Sequence, residues 1–231
     1  MIKEPLHVWG CGTARTLRVH WAMFALSLPY ISHPIVTRSA DMEDKNFLAV
    51  SPGKKIPALS HGKRNLTESA AIIEYLFHLA GKHSNTIENM TEINRWSYFT
   101  LMEIDATALY VLRRHQDLSA IYGEAPKACE AARNYFYRQI KVLDKFLGHQ
   151  RPFAVGDQLS KLDIILGSCC LWAQSINLEL PCNVERWFTN IQLLKSFESG
   201  LRANAEWLFI GQRNVNYRIT RLSGEIIRLR E

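Results

Sequence analysis

The run SPGKKIPALSHGKRNLTESAAIIEYL, from Ser51 to Leu76, decides how this chain folds. Ile56 to Ser60 and Arg64 to Leu66 are two short extended runs around the turn His61-Gly62-Lys63, which predicts an antiparallel hairpin. Glu68 to Ala80 then reads as a helix ending at Gly81. Pro57 stands at the start of the first strand, where proline is tolerated. If the Ile56-Pro57 bond is cis, the preceding backbone turns outward and an extended peptide can pair with Ile56; a trans-proline turn fits the local sequence as well. Glu68 and Ser69 open the helix, where backbone N–H groups and the positive dipole end attract carboxylates. Ser69 can take a ligand carboxylate and Glu68 an ammonium, while plain capping by Thr67 accounts for the same residues.

Upstream, Leu6 to Trp9 reads as a strand closed by Gly10, Cys11 and Gly12. Arg15 to Leu26 reads as an amphipathic helix stopped by Pro29, and Tyr30 to Val36 as a second strand. A strand-helix-strand unit of this size joins two parallel strands by a right-handed crossover. The order β-α-β then β-β-α is that of a thioredoxin-like α/β domain, assigned to residues 1–81. Downstream the pattern changes. Glu88 to His115 and Ala125 to Leu147 carry apolar residues at three- and four-residue spacing and read as long helices. Ser160-x-x-Asp163 is a capping box before an apolar helix reaching about Ala173, and further helices fit Val184 to Ser196 and Phe197 to Trp207. Residues 90–210 are therefore predicted to be an all-α domain. Residues 211–231, with Ile219, Leu222, Ile226, Ile227 and Leu229 among arginines, predict a final amphipathic helix.

Composition narrows the function classes. A chain of 231 residues with 47% apolar and 22% charged residues buries a sizeable core and is not intrinsically disordered. Its longest apolar runs fall short of the roughly 20 residues a bilayer crossing needs, so no membrane span is expected. MIKEPLHVWG lacks the apolar run of a secretory signal, and the expected location is cytoplasmic. Five cysteines, an odd count, fit reduced thiols, and no Cys/His spacing predicts a metal site. The charge of +6 is dispersed and does not predict nucleic-acid binding.

Taken together, these motifs resemble the soluble glutathione transferase family over about residues 5 to 208. The features that carry the likeness are the N-terminal strand-to-helix turn, Ser51 to Leu59 with Lys55-Ile56-Pro57, Thr67-Glu68-Ser69 with Ala71 to Leu76, and Val155-Gly156-Asp157 through Ser160 and Asp163. The resemblance implies that glutathione's cysteinyl backbone pairs with Ile56 beside a cis Pro57, and that its γ-glutamyl group meets Glu68 and Ser69. Lys55 stands at the family's polar position and suits a tripeptide with two carboxylates.

Thr13 falls where the family carries its catalytic Ser or Cys. A hydroxyl there donates to the glutathione thiolate, although the β-branch of Thr limits its rotamers. The resemblance thus implies a dimeric transferase of the detoxification type that conjugates glutathione to a hydrophobic electrophile, with no metal. Tyr98, Met102 and Ala106 share a helix face that resemblance points at the electrophile, and that equally reads as plain core. Two alternatives remain. Cys11, two residues before Thr13, would make the protein a glutathione-dependent thiol-disulfide reductase, or the fold could serve as a non-catalytic interaction module.

Overall fold

In the computed structural model, which describes residues 4–84 and 86–205, four short strands form one mixed sheet in the order β2-β1-β3-β4. Strand β1 (Leu6–Trp9) leads through helix α1 (Ala14–Ala25) to β2 (Tyr30–His33), which lies parallel to it with Leu6 opposite Tyr30 and Trp9 opposite His33. A 3₁₀ turn (Ala40–Glu43) and a short helix α2 (Lys45–Val50) follow. Strand β3 (Ala58–His61) runs antiparallel to β1, and β4 (Arg64–Thr67) closes the hairpin around Gly62, whose φ of 57° suits glycine. Helix α3 (Ser69–Leu79) completes the thioredoxin-like domain, in agreement with the sequence reading. The first strand of the hairpin starts two residues later than Ile56, so Ile56 and Pro57 precede the ladder. Thr67 belongs to β4, and Glu68 rather than Thr67 occupies the cap of α3, without a side-chain cap bond.

The second domain is helical. Helix α4 (Ile87–Phe99) continues through a π-wound segment, Thr100–Leu109, into α5 (Tyr110–His115). The expected single helix from Glu88 to His115 is thus continuous but widened in its middle, where the Thr100 hydroxyl donates to the Trp96 carbonyl at 2.8 Å. One turn of helix, α6 (Ser119–Tyr122), precedes α7 (Pro126–Phe146), which starts on a proline at its first helical position. Helix α8 (Lys161–Ser175) carries the predicted capping box. Asp163 accepts the Ser160 N–H and hydroxyl, both at 2.8 Å, and also the Ala154 N–H at 2.7 Å. Helices α9 (Cys182–Gln192) and α10 (Lys195–Ala205) are split at Leu193-Leu194, so the helix expected to run from Val184 to Ser196 ends earlier. The predicted helix in residues 211–231 and the end of the one predicted to reach Trp207 lie outside the described residues.

Helix α1 is the element on which the two domains meet. Leu17, Val19, Trp21, Ala22 and Met23 are buried as the apolar period requires, but so are Arg18 and His20. The helix is enclosed because α10 lies across its other side. A Cβ on Gly200 would fall 2.5 Å from the Trp21 Cα, so only glycine admits this backbone approach. Phe197 meets the Trp21 ring edge-on, with centroids 4.9 Å apart, and Ser196 accepts the indole N–H at 3.3 Å. One apolar core therefore runs from Leu6, Val8 and Leu59 of the sheet into Ile164, Trp187 and Phe197 of the helical domain. The opposite face of the sheet holds a smaller cluster of Trp9, Ile35, Phe47 and Ala58.

Candidate functional site

The chain leaves β1 through Gly10 (φ 111°) and Gly12 (φ 77°), and the latter conformation is one that other residues adopt only at a cost. This sharp exit brings Thr13 to the N-cap of α1. Its hydroxyl accepts the Thr16 N–H at 3.0 Å, while the Thr16 hydroxyl accepts the Thr13 N–H at 2.9 Å, and the two hydroxyl oxygens stand 3.0 Å apart. The first turn of α1 contains no acidic residue, so the positive end of its dipole is not neutralised by its own side chains. A hydroxyl at this position, half-exposed and aimed from a helix N-terminus, suits an anion.

Cys11 is placed differently. It is 1% exposed, its Sγ faces the Ile35 carbonyl at 3.9 Å, and burial followed by the nearby Asp41 charge pushes its thiol up to about 11. Among the described residues it is a buried thiol, protonated at neutral pH.

The loop before β3 is shaped by the buried Ser51, whose hydroxyl donates to the Lys55 carbonyl at 2.9 Å and accepts the Lys55 N–H at 3.1 Å. The Ile56-Pro57 bond that follows is cis. Ile56 packs against Gly10, where an added Cβ would lie 2.5 Å from the Ile56 Cβ, so the loop and the turn before Thr13 touch. Lys55 is exposed, and Lys54 is paired with Glu43 at 2.6 Å.

Glu68 is exposed in a positive-φ conformation (66°, 110°) rare for a residue with a side chain, an arrangement that costs about 1–3 kcal/mol and persists where the surroundings impose it. Ser69 follows as the first residue of α3 and is 7% exposed. Its hydroxyl accepts from Arg18 Nη1 at 3.2 Å. Arg18, on the same helix as Thr13, also donates to Ser168 at 2.7 Å and to Asp105 at 2.5 Å. Asp105 is held from a second side by Arg15 at 2.5 Å, and the guanidinium of Arg15 lies over the Tyr110 ring at 4.7 Å. Burial drives the Asp105 carboxyl upward, but the two arginines outweigh it and hold the group below its usual range.

Gly10 thus links Ile56 to the turn before Thr13, and Arg18 links Ser69 to helix α1. Tyr98, Met102 and Ala106 are solvent-exposed, the first two at 61% and 58%. From the same helical run, Asp105 reaches Arg15 and Arg18 of α1. Sequence reasoning passed over Asp105, Ser168 and Asn204, and did not foresee that Arg18 pairs with Asp105. An acid set among Ile104, Ala108 and Leu109 is a legible signal for Asp105; no local signal marks Asn204 in its polar helix. Among the described residues no group of three or more His, Cys, Asp or Glu is placed to hold a metal, and no helix is long and apolar enough to cross a membrane.

Comparison with known proteins agrees with this geometry. Residues 14–79 match the family described as glutathione S-transferase, N-terminal domain. A glutathione transferase family member from Pseudomonas fluorescens, solved with two glutathione molecules bound, is 25% identical, with 86% of this chain and 92% of that chain covered and a TM-score of 0.74. A glutathione transferase from Pseudomonas putida, solved with one glutathione disulfide per subunit, is 21% identical over 86% and 91% of the two chains, with a TM-score of 0.74. Human glutathione-S-transferase T1-1 in its apo form is 18% identical over 87% and 88%, also with a TM-score of 0.74. Residues 14–79 are thus similar to the N-terminal domain of the glutathione S-transferase family, and the chain as a whole has the glutathione transferase fold.

Proposed function

We propose that this protein binds glutathione and holds its thiol as the thiolate for attack on a hydrophobic electrophile. The observation that carries this reading is that Thr13 caps the same helix whose Arg18 grips Ser69. One rigid element therefore sets the distance between a carboxylate anchor and a thiolate donor. In this reading the tripeptide's γ-glutamyl carboxylate lies at Ser69 and the start of α3, its ammonium at the exposed Glu68, and its cysteinyl backbone along Ile56 where the chain has not yet entered the ladder. Lys55 supplies a cation beside the second carboxylate.

The chemistry asked of the protein is modest. The thiol releases its proton to solvent, and the Thr13 hydroxyl and the α1 dipole stabilise the sulfur anion. The sulfur lone pair then forms the bond to the electrophilic carbon, whose leaving group departs with its own electron pair, and the protein makes no covalent bond. Tyr98, Met102 and Ala106 are assigned to the electrophile's side in this proposal, as exposed apolar surface on the second domain. Homodimerisation and a cytoplasmic setting belong to the same reading, by resemblance.

Burial of Cys11 supports conjugation over thiol-disulfide exchange, because a nucleophilic thiol needs access and a lowered pKa. The non-catalytic reading draws on the Thr13 hydroxyl's partner within the fold, Thr16. Calorimetric titration separates these outcomes. Wild-type protein is expected to bind glutathione and Ser69→Ala to bind it about tenfold more weakly, a hydrogen bond to a charged group being worth about 1.5–3 kcal/mol. No binding at millimolar glutathione overturns the reading.

A further inference from the structure

Asn204, the next-to-last residue of α10, is buried at 7% although it lies in a mostly polar helix, and its side-chain oxygen, side-chain amide and backbone carbonyl all reach the turn that carries Thr13. Its Oδ1 accepts the Gly12 N–H at 3.1 Å and the Thr16 hydroxyl at 2.7 Å; its Nδ2 donates to the Thr13 carbonyl at 3.2 Å; its backbone carbonyl accepts the Gly12 N–H at 3.0 Å. The amide orientation is chemically determined, since Gly12 N–H can only donate and must face an oxygen. A residue 191 positions from Thr13 in sequence thus clasps the residue before it, its own carbonyl and the side chain that caps with it.

We infer that Asn204 is a positioning residue for the thiolate-holding hydroxyl of Thr13, through which the helical domain sets the acidity of the bound thiol. This rests on the proposed role of Thr13 and adds the element that aims it. Threonine has few χ1 choices, so the direction of its hydroxyl follows from where the backbone is placed rather than from side-chain rotation. The backbone of Gly12 and Thr13 is a turn with positive φ at Gly12 and so needs an external brace. Asn204 is that brace.

Its effect on the hydroxyl proton is also specific. The Thr13 oxygen already accepts the Thr16 N–H, and the Thr13 carbonyl takes the Leu17 N–H at 2.9 Å as well as Asn204. The Thr16 hydroxyl donates to the Asn204 oxygen at 2.7 Å or to the Thr13 carbonyl at 2.8 Å, and in both cases its oxygen accepts the Thr13 N–H. The Thr13 proton then has a choice between the Thr16 oxygen, whose lone pairs are partly used, and a thiolate. A charge-assisted bond to the thiolate is the stronger of the two.

The test uses the full chain and two variants, Asn204→Ala and Thr16→Val, the second removing the Thr16 hydroxyl from the clasp while leaving Asn204 in α10. The bound thiol's pKa is read from thiolate ultraviolet absorbance against pH, and glutathione affinity is measured by calorimetry at a pH where the thiol is protonated. Wild-type protein is expected to hold the thiol below the value of free glutathione. Both variants are expected to raise it by about one unit, a tenfold loss of thiolate on the acid side, while affinity changes less than about threefold because Ile56, Glu68 and Ser69 are untouched. A purely structural role would weaken folding without moving the thiol's titration. Variants that bind glutathione with the wild-type thiol pKa overturn the inference, and if Asn204→Ala does not fold, Thr16→Val decides it alone. A wild-type thiol that titrates as free glutathione does overturns the Thr13 reading itself, and the inference with it.

Discussion

Arg18 and Asp105 belong to different domains and form an ion pair at 2.5 Å with each side chain at most 2% exposed. Such a pair stands or falls as a unit, because either charge left alone in that interior is uncompensated. Asp105→Ala is therefore expected to lose about 3–5 kcal/mol of stability, the usual cost of orphaning a buried partner. Urea unfolding at neutral pH checks this; a loss below about 1 kcal/mol would place the pair among inconsequential surface bridges.

The pair also sets an acid limit. The folded-state pKa of Asp105 is depressed from its ordinary 3.8, so its stabilisation is present above that value and is lost as pH falls through the folded-state pKa. Stability is expected to drop below the ordinary carboxylate range, and this component of the drop to vanish in Asp105→Asn. Unfolding free energies of both proteins across the acid range provide the comparison.

Asp163 titrates in the opposite sense. Burial outweighs its hydrogen bonds and raises it from 3.8 to about 6. Between those values the unfolded chain releases the proton and the folded chain keeps it, so stability declines as pH rises through that window and levels off above it. Asp163→Asn should remove that slope. Asp163→Ala should cost about 1–2 kcal/mol for the lost cap, and more for the Ala154 N–H left without its acceptor. Denaturant midpoints measured across the window provide the check.

Thiol chemistry discriminates the two candidate residues of the first turn. Cys182 is the exposed cysteine among the five, and Cys11 is both buried and shifted up to about 11. An alkylating reagent on the folded protein at neutral pH is expected to label Cys182 and spare Cys11, read by peptide mass mapping. Preferential labelling of Cys11 would restore the reductase reading.

Gly200→Ala probes the docking of α10. The new methyl would meet the Trp21 backbone, which cannot swing aside as a flexible side chain could, so a loss of about 1–3 kcal/mol is expected. Thermal unfolding measures it, and a neutral substitution would mean that α10 shifts freely on α1.

The thioredoxin-like domain was legible because its strands and helices bury local apolar patterns, and because Gly10, Gly12, Pro57 and Gly62 mark the places where the chain must turn. The motifs around Ile56 and Ser69 were legible for the same reason. What escaped the sequence is polar and non-local. The role of Arg18 cannot be read from its own helix, because its partner lies 87 residues away. Asn204 looks like any solvated residue of a polar helix, since periodicity cannot see the glycine at position 200 that lets α10 close over α1. The break at Leu193-Leu194 and the π winding of Thr100–Leu109 have no local breaker to announce them.

Thr13 is expected to lower the pKa of a bound glutathione thiol. Thiolate absorbance titrated against pH, for wild-type protein and for the near-isosteric Thr13→Val, tests it directly. The bound thiol should ionise below free glutathione in the wild type and return toward the free value in Thr13→Val, with affinity largely kept. Identical titrations in the two proteins would contradict it.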